Sequence, residues 1–254
     1  MFCAQSEEVL KSEGPADWMG AEGDRFHANL SSCLHAMGQP LTVLRCTVAA
    51  AAVQGIPAEK QQKYLGTSAE QVQLLCGLFD CLRELLDSSQ LGGERSPVAV
   101  SQLLSFAVED QMPLFQASDL AIDVSIPAEL DSTVLADMNR SLKALTFVLK
   151  IAASVSSPGD VIELKVAPKN GGVGLIVENE RARCRSFTSL QRLTLAVAEA
   201  NVRSQDGDYA CAQDPFRATL TLPVHNRVHN RVLDLAQLKG NTARYEAQAG
   251  CLCS

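Results

Sequence analysis

No stretch of this 254-residue chain is apolar for long enough to span a membrane as a helix. Its start, Met1-Phe2-Cys3-Ala4-Gln5-Ser6-Glu7-Glu8, has neither the basic residues nor the apolar run of a signal peptide, so the expectation is a cytoplasmic protein. Basic charge is scarce too. Lysine and arginine number 22 against 29 acidic residues, for a net charge of −7 with both signs mixed along the chain. No basic stripe is available to displace counterions, which argues against a nucleic-acid partner; a basic or mixed protein partner stays open. Nine cysteines is an odd number, and Cys33, Cys46, Cys76 and Cys81 lie inside periodic apolar segments. They are expected to be small reduced core residues rather than a disulfide framework. Cys251-Leu252-Cys253-Ser254 fits a prenylation box only loosely and reads as neither lipid anchor nor metal site. Trp18 and Tyr64 have no sequence neighbours that suggest a site.

What is present is a globular composition, 46% hydrophobic, with strong periodicity. Residues 1–22, with Gly14, Pro15 and Gly20 among polar residues, read as a loose arm. A long helix is expected from Asp24 to Gln54, broken by Gly55-Ile56-Pro57, and helical pattern resumes from Ala58 to Ser89. Gly66 and the capping-box-like Thr67-Ser68-Ala69-Glu70 leave open one long helix or a short one followed by a longer one. Residues 23–91 thus form an antiparallel helical hairpin. Its apolar stripes cannot be buried by one copy, so a second is expected to complete a four-helix bundle as a homodimer. Gly92-Gly93-Glu94-Arg95-Ser96-Pro97 reads as a linker. Residues 97–224 then alternate helix and strand: helices over Val100–Gln116, Asn139–Val155 and Ser189–Arg203, and strands over Ala121–Pro127, Val161–Ala167, Gly174–Glu178, Tyr209–Cys211 and Ala218–Leu222. That order predicts a mixed sheet with helices on one face. Residues 225–254 repeat His-Asn-Arg-Val and read as a solvated tail.

One histidine stands apart. At 100° per residue, Phe26, Leu30, Leu34, Met37, Leu41, Leu44 and Val48 share a stripe of the first helix. His35 falls on the far side, among Ser31, Ser32, Gln39, Thr42 and Cys46. A core histidine needs a buried partner; this one is expected to face water among small residues, where another protein can reach it. Glu178 and Glu180 read as solvated charges, and Arg181, Arg183 and Arg185 as an exposed loop.

His35-Ala36-Met37-Gly38-Gln39-Pro40-Leu41 resembles the phosphoacceptor box of bacterial two-component sensor histidine kinases, in the subclass that reads His-Glu-x-Asn-Gln-Pro-Leu. The second half follows the element order of the kinase ATP-binding domain, with Pro158-Gly159-Asp160 before a hairpin and Thr219-Leu220-Thr221-Leu222-Pro223 closing the last strand. The resemblance covers about Asp24 to Val224 and implies a helical hairpin followed by a histidine-kinase-ATPase-like α/β sandwich.

The nucleotide chemistry of that family is missing. Val148 and Ala152 stand where it has magnesium-directed asparagines. Asn179-Glu180-Arg181-Ala182-Arg183 replaces its Asp-x-Gly-x-Gly, and Ser186 to Arg192 lacks its phosphate-facing glycines. Charge-assisted hydrogen bonds contribute about 1.5–3 kcal/mol each, so losing three roles costs roughly 5–9 kcal/mol. Micromolar binding is worth only about 8 kcal/mol, so no useful ATP binding is expected.

A phosphoacceptor-like hairpin carrying a degenerate ATPase domain resembles the ChpT-type histidine phosphotransferases, which pass phosphate between response-regulator receiver aspartates. The resemblance implies His35 as the group that carries the phosphate, Gln39 one turn on as its orienting neighbour, and receiver domains as partners. Magnesium would come with the receiver, leaving this chain without cofactor or metal of its own. Ser31, Ser32, Gly38 and Thr42 are small enough to let a receiver helix approach, and Pro40 is expected to bend the helix just past His35. The family's acid after the histidine is Ala36 here. That departure disfavours a kinase and keeps open an inactive scaffold that binds receivers without chemistry.

Overall fold

The computed structural model describes residues 16–89, 93–127, 133–169, 171–184 and 186–224, with side chains from residue 23 onward. The arm before residue 16, the tail from 225 with its cysteines, Trp18 and Arg185 lie outside the described residues or side chains. Helix α1 (Ala16–Ala51) begins within the segment expected to be a loose arm, seven residues before Gly23. Helix α2 (Ala58–Ser89) is a single helix through Gly66. Gly55, at φ +80°, occupies the left-handed backbone region in the connection between them. α1 and α2 pack along their length, with Thr47 Oγ1 and Ser68 Oγ 2.8 Å apart in the seam.

The stripe expected on α1 divides in two. Cys33, Pro40 and Ala51 are buried and Phe26, Met37 and Leu44 half-buried, whereas Leu34 (56%), Leu41 (53%) and Val48 (51%) are exposed. The reason is angular. Leu34, Leu41 and Val48 follow each other by heptads and trace a line about 100° from the Cys33 line. On α2, Leu65, Val72, Phe79 and Leu86 repeat the same heptad spacing and are exposed as well.

The second unit has two layers. Strands β1 (Ser96–Ala99) and β3 (Thr133–Ala136) pair antiparallel as a small separate sheet. Sequence periodicity did not indicate this pair, and Ser96 and Pro97 belong to it rather than to a linker. The main sheet has the order β2-β4-β5-β7-β6, from strands β2 (Ala121–Ser125), β4 (Val161–Lys169), β5 (Gly172–Asn179), β6 (Asp208–Ala212) and β7 (Phe216–Pro223). β2 runs parallel to β4 and the other pairs are antiparallel. Helices α3 (Val100–Ala117), α4 (Met138–Val155) and α5 (Ser189–Arg203) join the sheet in one core, whose large members include Phe115, Leu145, Leu149, Leu164, Leu175 and Phe216. Local signals fix the helix starts. Asp137 accepts from the backbone of Asn139 and Arg140 at α4, and Thr188 with Gln191 forms a reciprocal capping box at α5.

The outer sheet face carries an ion ladder. Lys165 Nζ pairs with Glu163 and lies 2.6 Å from Glu178 Oε1, and Arg217 Nε is 3.4 Å from Glu178 Oε2. Glu178 is therefore buried and paired, not a solvated charge, because Arg217 faces it in register on β7 and Lys165 reaches it diagonally from β4, between Glu178 and its register partner Glu163. Glu180, past the strand end, is exposed.

Candidate functional site

α1 presents His35 to solvent. Ser31, Ser32, Gly38, Gln39 and Thr42 are exposed around it, so the helix brings together all six residues singled out in the sequence. Cys46, three turns on, is exposed on the same side, and Cys76 is exposed on α2; only Cys33 and Cys81 of the four are core thiols. Burial pushes both of those thiols up from the ordinary cysteine value, which keeps them protonated. α1 stays helical through Pro40. The missing amide of Pro40 leaves the Ala36 carbonyl without its helical donor. Thr42 Oγ1 donates to the Gly38 carbonyl at 2.9 Å, so its hydroxyl is engaged within the helix.

The residue after His35 faces elsewhere. Ala36 is half-buried and packs against a cluster of Cys33, Leu78, Cys81, Leu85, Leu193 and Val197 that joins the hairpin to α5. Among the described residues, a carboxylate reaching His35 from position 36 has no counterpart at that position.

The residues at the positions that the kinase resemblance would assign to nucleotide pack or hydrogen-bond within the domain. Val148 and Ala152 are fully buried in the α4 core. Asn179 ends β5 almost fully buried and is bonded on every side. Its Nδ2 donates to Ser156 Oγ (2.7 Å) and Asp160 Oδ2 (3.1 Å), and its Oδ1 accepts from the amides of Arg181 (2.9 Å) and Ala182 (3.2 Å). Ala182 is buried beside it, and Phe187 meets Phe216 edge-on at 6.3 Å. Arg183 is exposed and lies 3.8 Å from Asp214. This network was not visible in the sequence because its members are separated along the chain and only the sheet assembles them.

The Ser157 amide, then the Asn179 amide group and the nearby Arg181, hold the Asp160 carboxyl below its ordinary range. A folded value below the unfolded value of about 4 means that the stabilisation is fully present above that pH and is lost as pH falls through the folded value. Asp160→Asn should therefore flatten the loss of stability below about pH 4, read as urea midpoints across a pH series.

No family model matches the chain, and no curated protein matches it in sequence. Solved structures do match in fold. The histidine kinase AdeS of Acinetobacter baumannii superposes with a TM-score of 0.55 at 18% identity, over 74% of this chain and 96% of that one. Full-length ShkA, solved in complex with AMPPNP, gives 0.51 at 16% identity, over 82% of this chain and 45% of that one. The chain thus has a histidine-kinase-like fold: a helical hairpin followed by the α/β sheet domain of such kinases. Among the described residues, no helix is long and apolar enough to cross a membrane.

Proposed function

We propose that this protein is a histidine phosphotransferase in a two-component phosphorelay, carrying a phosphoryl group between receiver aspartates through His35. The observation that carries the reading is the combination of an exposed imidazole on a kinase-like hairpin with an α/β domain whose nucleotide-equivalent positions are Val148, Ala152 and a fully hydrogen-bonded Asn179. Imidazole suits the role because its neutral form is nucleophilic near pH 7. A ring nitrogen forms the N–P bond as the P–O bond to the receiver's aspartate breaks, and the bonding pair leaves on the carboxylate. The proton of the second ring nitrogen passes to water. Reversal onto another receiver's aspartate restores the histidine. The receiver brings the magnesium ion, and this chain contributes positioning. Gln39 sits one turn beyond His35 on the same side to orient the ring or the phosphoryl group.

The hairpin's exposed heptads supply the homodimer in this reading. Leu34, Leu41 and Val48 on α1 and Leu65, Val72, Phe79 and Leu86 on α2 form two apolar lines that a second copy would cover as a four-helix bundle. The protein is read as a cytoplasmic component that binds no nucleic acid.

Ala36 favours a second reading, a scaffold that binds receivers without chemistry, because no acid follows the histidine. Incubation with a phosphorylated receiver separates the two. The phosphotransferase acquires acid-labile, base-stable label that His35→Ala lacks; the scaffold binds the receiver and stays unlabelled.

A further inference from the structure

We propose that the α/β domain is a fixed clamp on the histidine-bearing helix, and that Ala36 is the small apolar position that lets α5 remain seated there. Leu193 and Val197 of α5 are buried with Cys33, Leu78, Cys81 and Leu85 of the hairpin, in a cluster separate from the core of the sheet domain. Cys33 lies one turn from Ala36 and two residues from His35, on the side of α1 turned away from the imidazole. Cys33 Sγ donates to the Leu78 carbonyl (3.2 Å), and Cys81 Sγ lies 3.6 Å from Thr194 Oγ1 of α5. Gly77 leaves room for Leu190: a Cβ there would sit 3.2 Å from Leu190 Cδ2.

Polar contacts fix the same joint at the far end of α2. Lys143 Nζ of α4 reaches both carboxylate oxygens of the mostly buried Glu84, at 3.0 and 2.7 Å. Arg140 Nη1 donates to the Ser88 carbonyl at 3.3 Å, satisfying one of the open carbonyls at the end of α2. The apolar seat holds α5 against both hairpin helices beside His35, and the ionic end holds α4 against α2 about two to three turns further along that helix.

The joint is packed like a core, with buried apolar residues from both sides and an ion pair at its end. At position 36 a half-buried methyl group meets the seat, where a carboxylate would be partly desolvated against leucines and valines. The absent acid and the seated domain are then one adaptation. Its benefit to transfer, a phosphoacceptor helix held at fixed geometry, rests on the phosphotransferase reading; the clamp itself does not.

Hydrogen exchange of the full chain, read by mass spectrometry, tests this. In the wild type, α5 and the 78–88 stretch of α2 should be protected like β5 and β7. Ala36→Glu should speed exchange in those two helical stretches by about tenfold while leaving β5 and β7 unchanged, and Ala36→Ser should behave as wild type. Unprotected α5 in the wild type, or unchanged protection in Ala36→Glu, overturns the proposal. If Ala36→Glu loosens the whole chain, Lys143→Glu decides: it should loosen the joint alone, and adding Glu84→Lys should restore it. Failure of the reversed pair to recover overturns the clamp. His35 label measured on the same wild-type sample is independent; its absence removes the phosphotransferase reading and leaves the clamp standing.

Discussion

In the proposed homodimer, Phe79→Asp should convert dimer to monomer at micromolar concentration, measured against the wild type by sedimentation equilibrium or light scattering. Phe79 is 61% exposed in the single chain, so the monomer loses little when it is replaced. In a two-fold dimer the position occurs twice, and each copy loses the burial of an aromatic ring, about 2–3 kcal/mol. Two copies give roughly 4–6 kcal/mol, before the cost of desolvating two carboxylates, which raises the dissociation constant by about 10³–10⁴-fold. The circular dichroism of the variant should stay helical, since the α1–α2 seam uses Cys33, Thr47, Ser68 and Leu78, not Phe79. A variant that remains dimeric would show that the apolar lines on α1 and α2 are not the interface.

Asn179→Ala should be the most destabilising polar substitution in the α/β domain, by roughly 2–4 kcal/mol. It removes the amide that binds Asp160 and Ser156 and the oxygen that accepts from two backbone amides. The shift in urea midpoint at constant slope measures it. Asn179→Asp discriminates further. It restores the acid that the kinase resemblance expects, yet places a second carboxylate where the amide nitrogen now stands 3.1 Å from Asp160 Oδ2. Like charges at that separation oppose joint ionisation, so this variant should be weak at pH 7 and recover as pH falls toward 4. It should gain no ATP binding, because Val148 and Ala152 remain buried apolar groups where phosphate and magnesium contacts would be needed.

The long helices and the central strands were legible because their apolar residues recur at one period over many residues. Ser189–Arg203 is recovered at both ends, where a capping box and a basic last turn mark its limits. The exposure of His35 followed from the same angular argument, which needs only one helix. Pairings between distant segments were not legible. β1 and β3 are four residues each, one contains Pro97, and neither alternates for long enough to signal a strand without its partner. The division of the α1 stripe into an inner line and a heptad line required knowing where α2 and α5 lie. Glu178 looked solvated from its spacing to Glu180, and only the pairing of β5 with β4 and β7 brings Lys165 and Arg217 to it in an ion ladder. Gly77, unfavourable within a helix by about 1 kcal/mol, was a usable local signal of close approach, and its partner Leu190 comes from the other domain.

On the proposed function, His35 receives phosphate from a protein and not from a nucleotide. The direct test offers one preparation two labelled donors in parallel, γ-labelled ATP with magnesium and a receiver phosphorylated on aspartate. Label is expected only from the receiver, on His35, released by acid, and transferable to a second receiver. Label taken from ATP, or label from the receiver that survives His35→Ala, would contradict it.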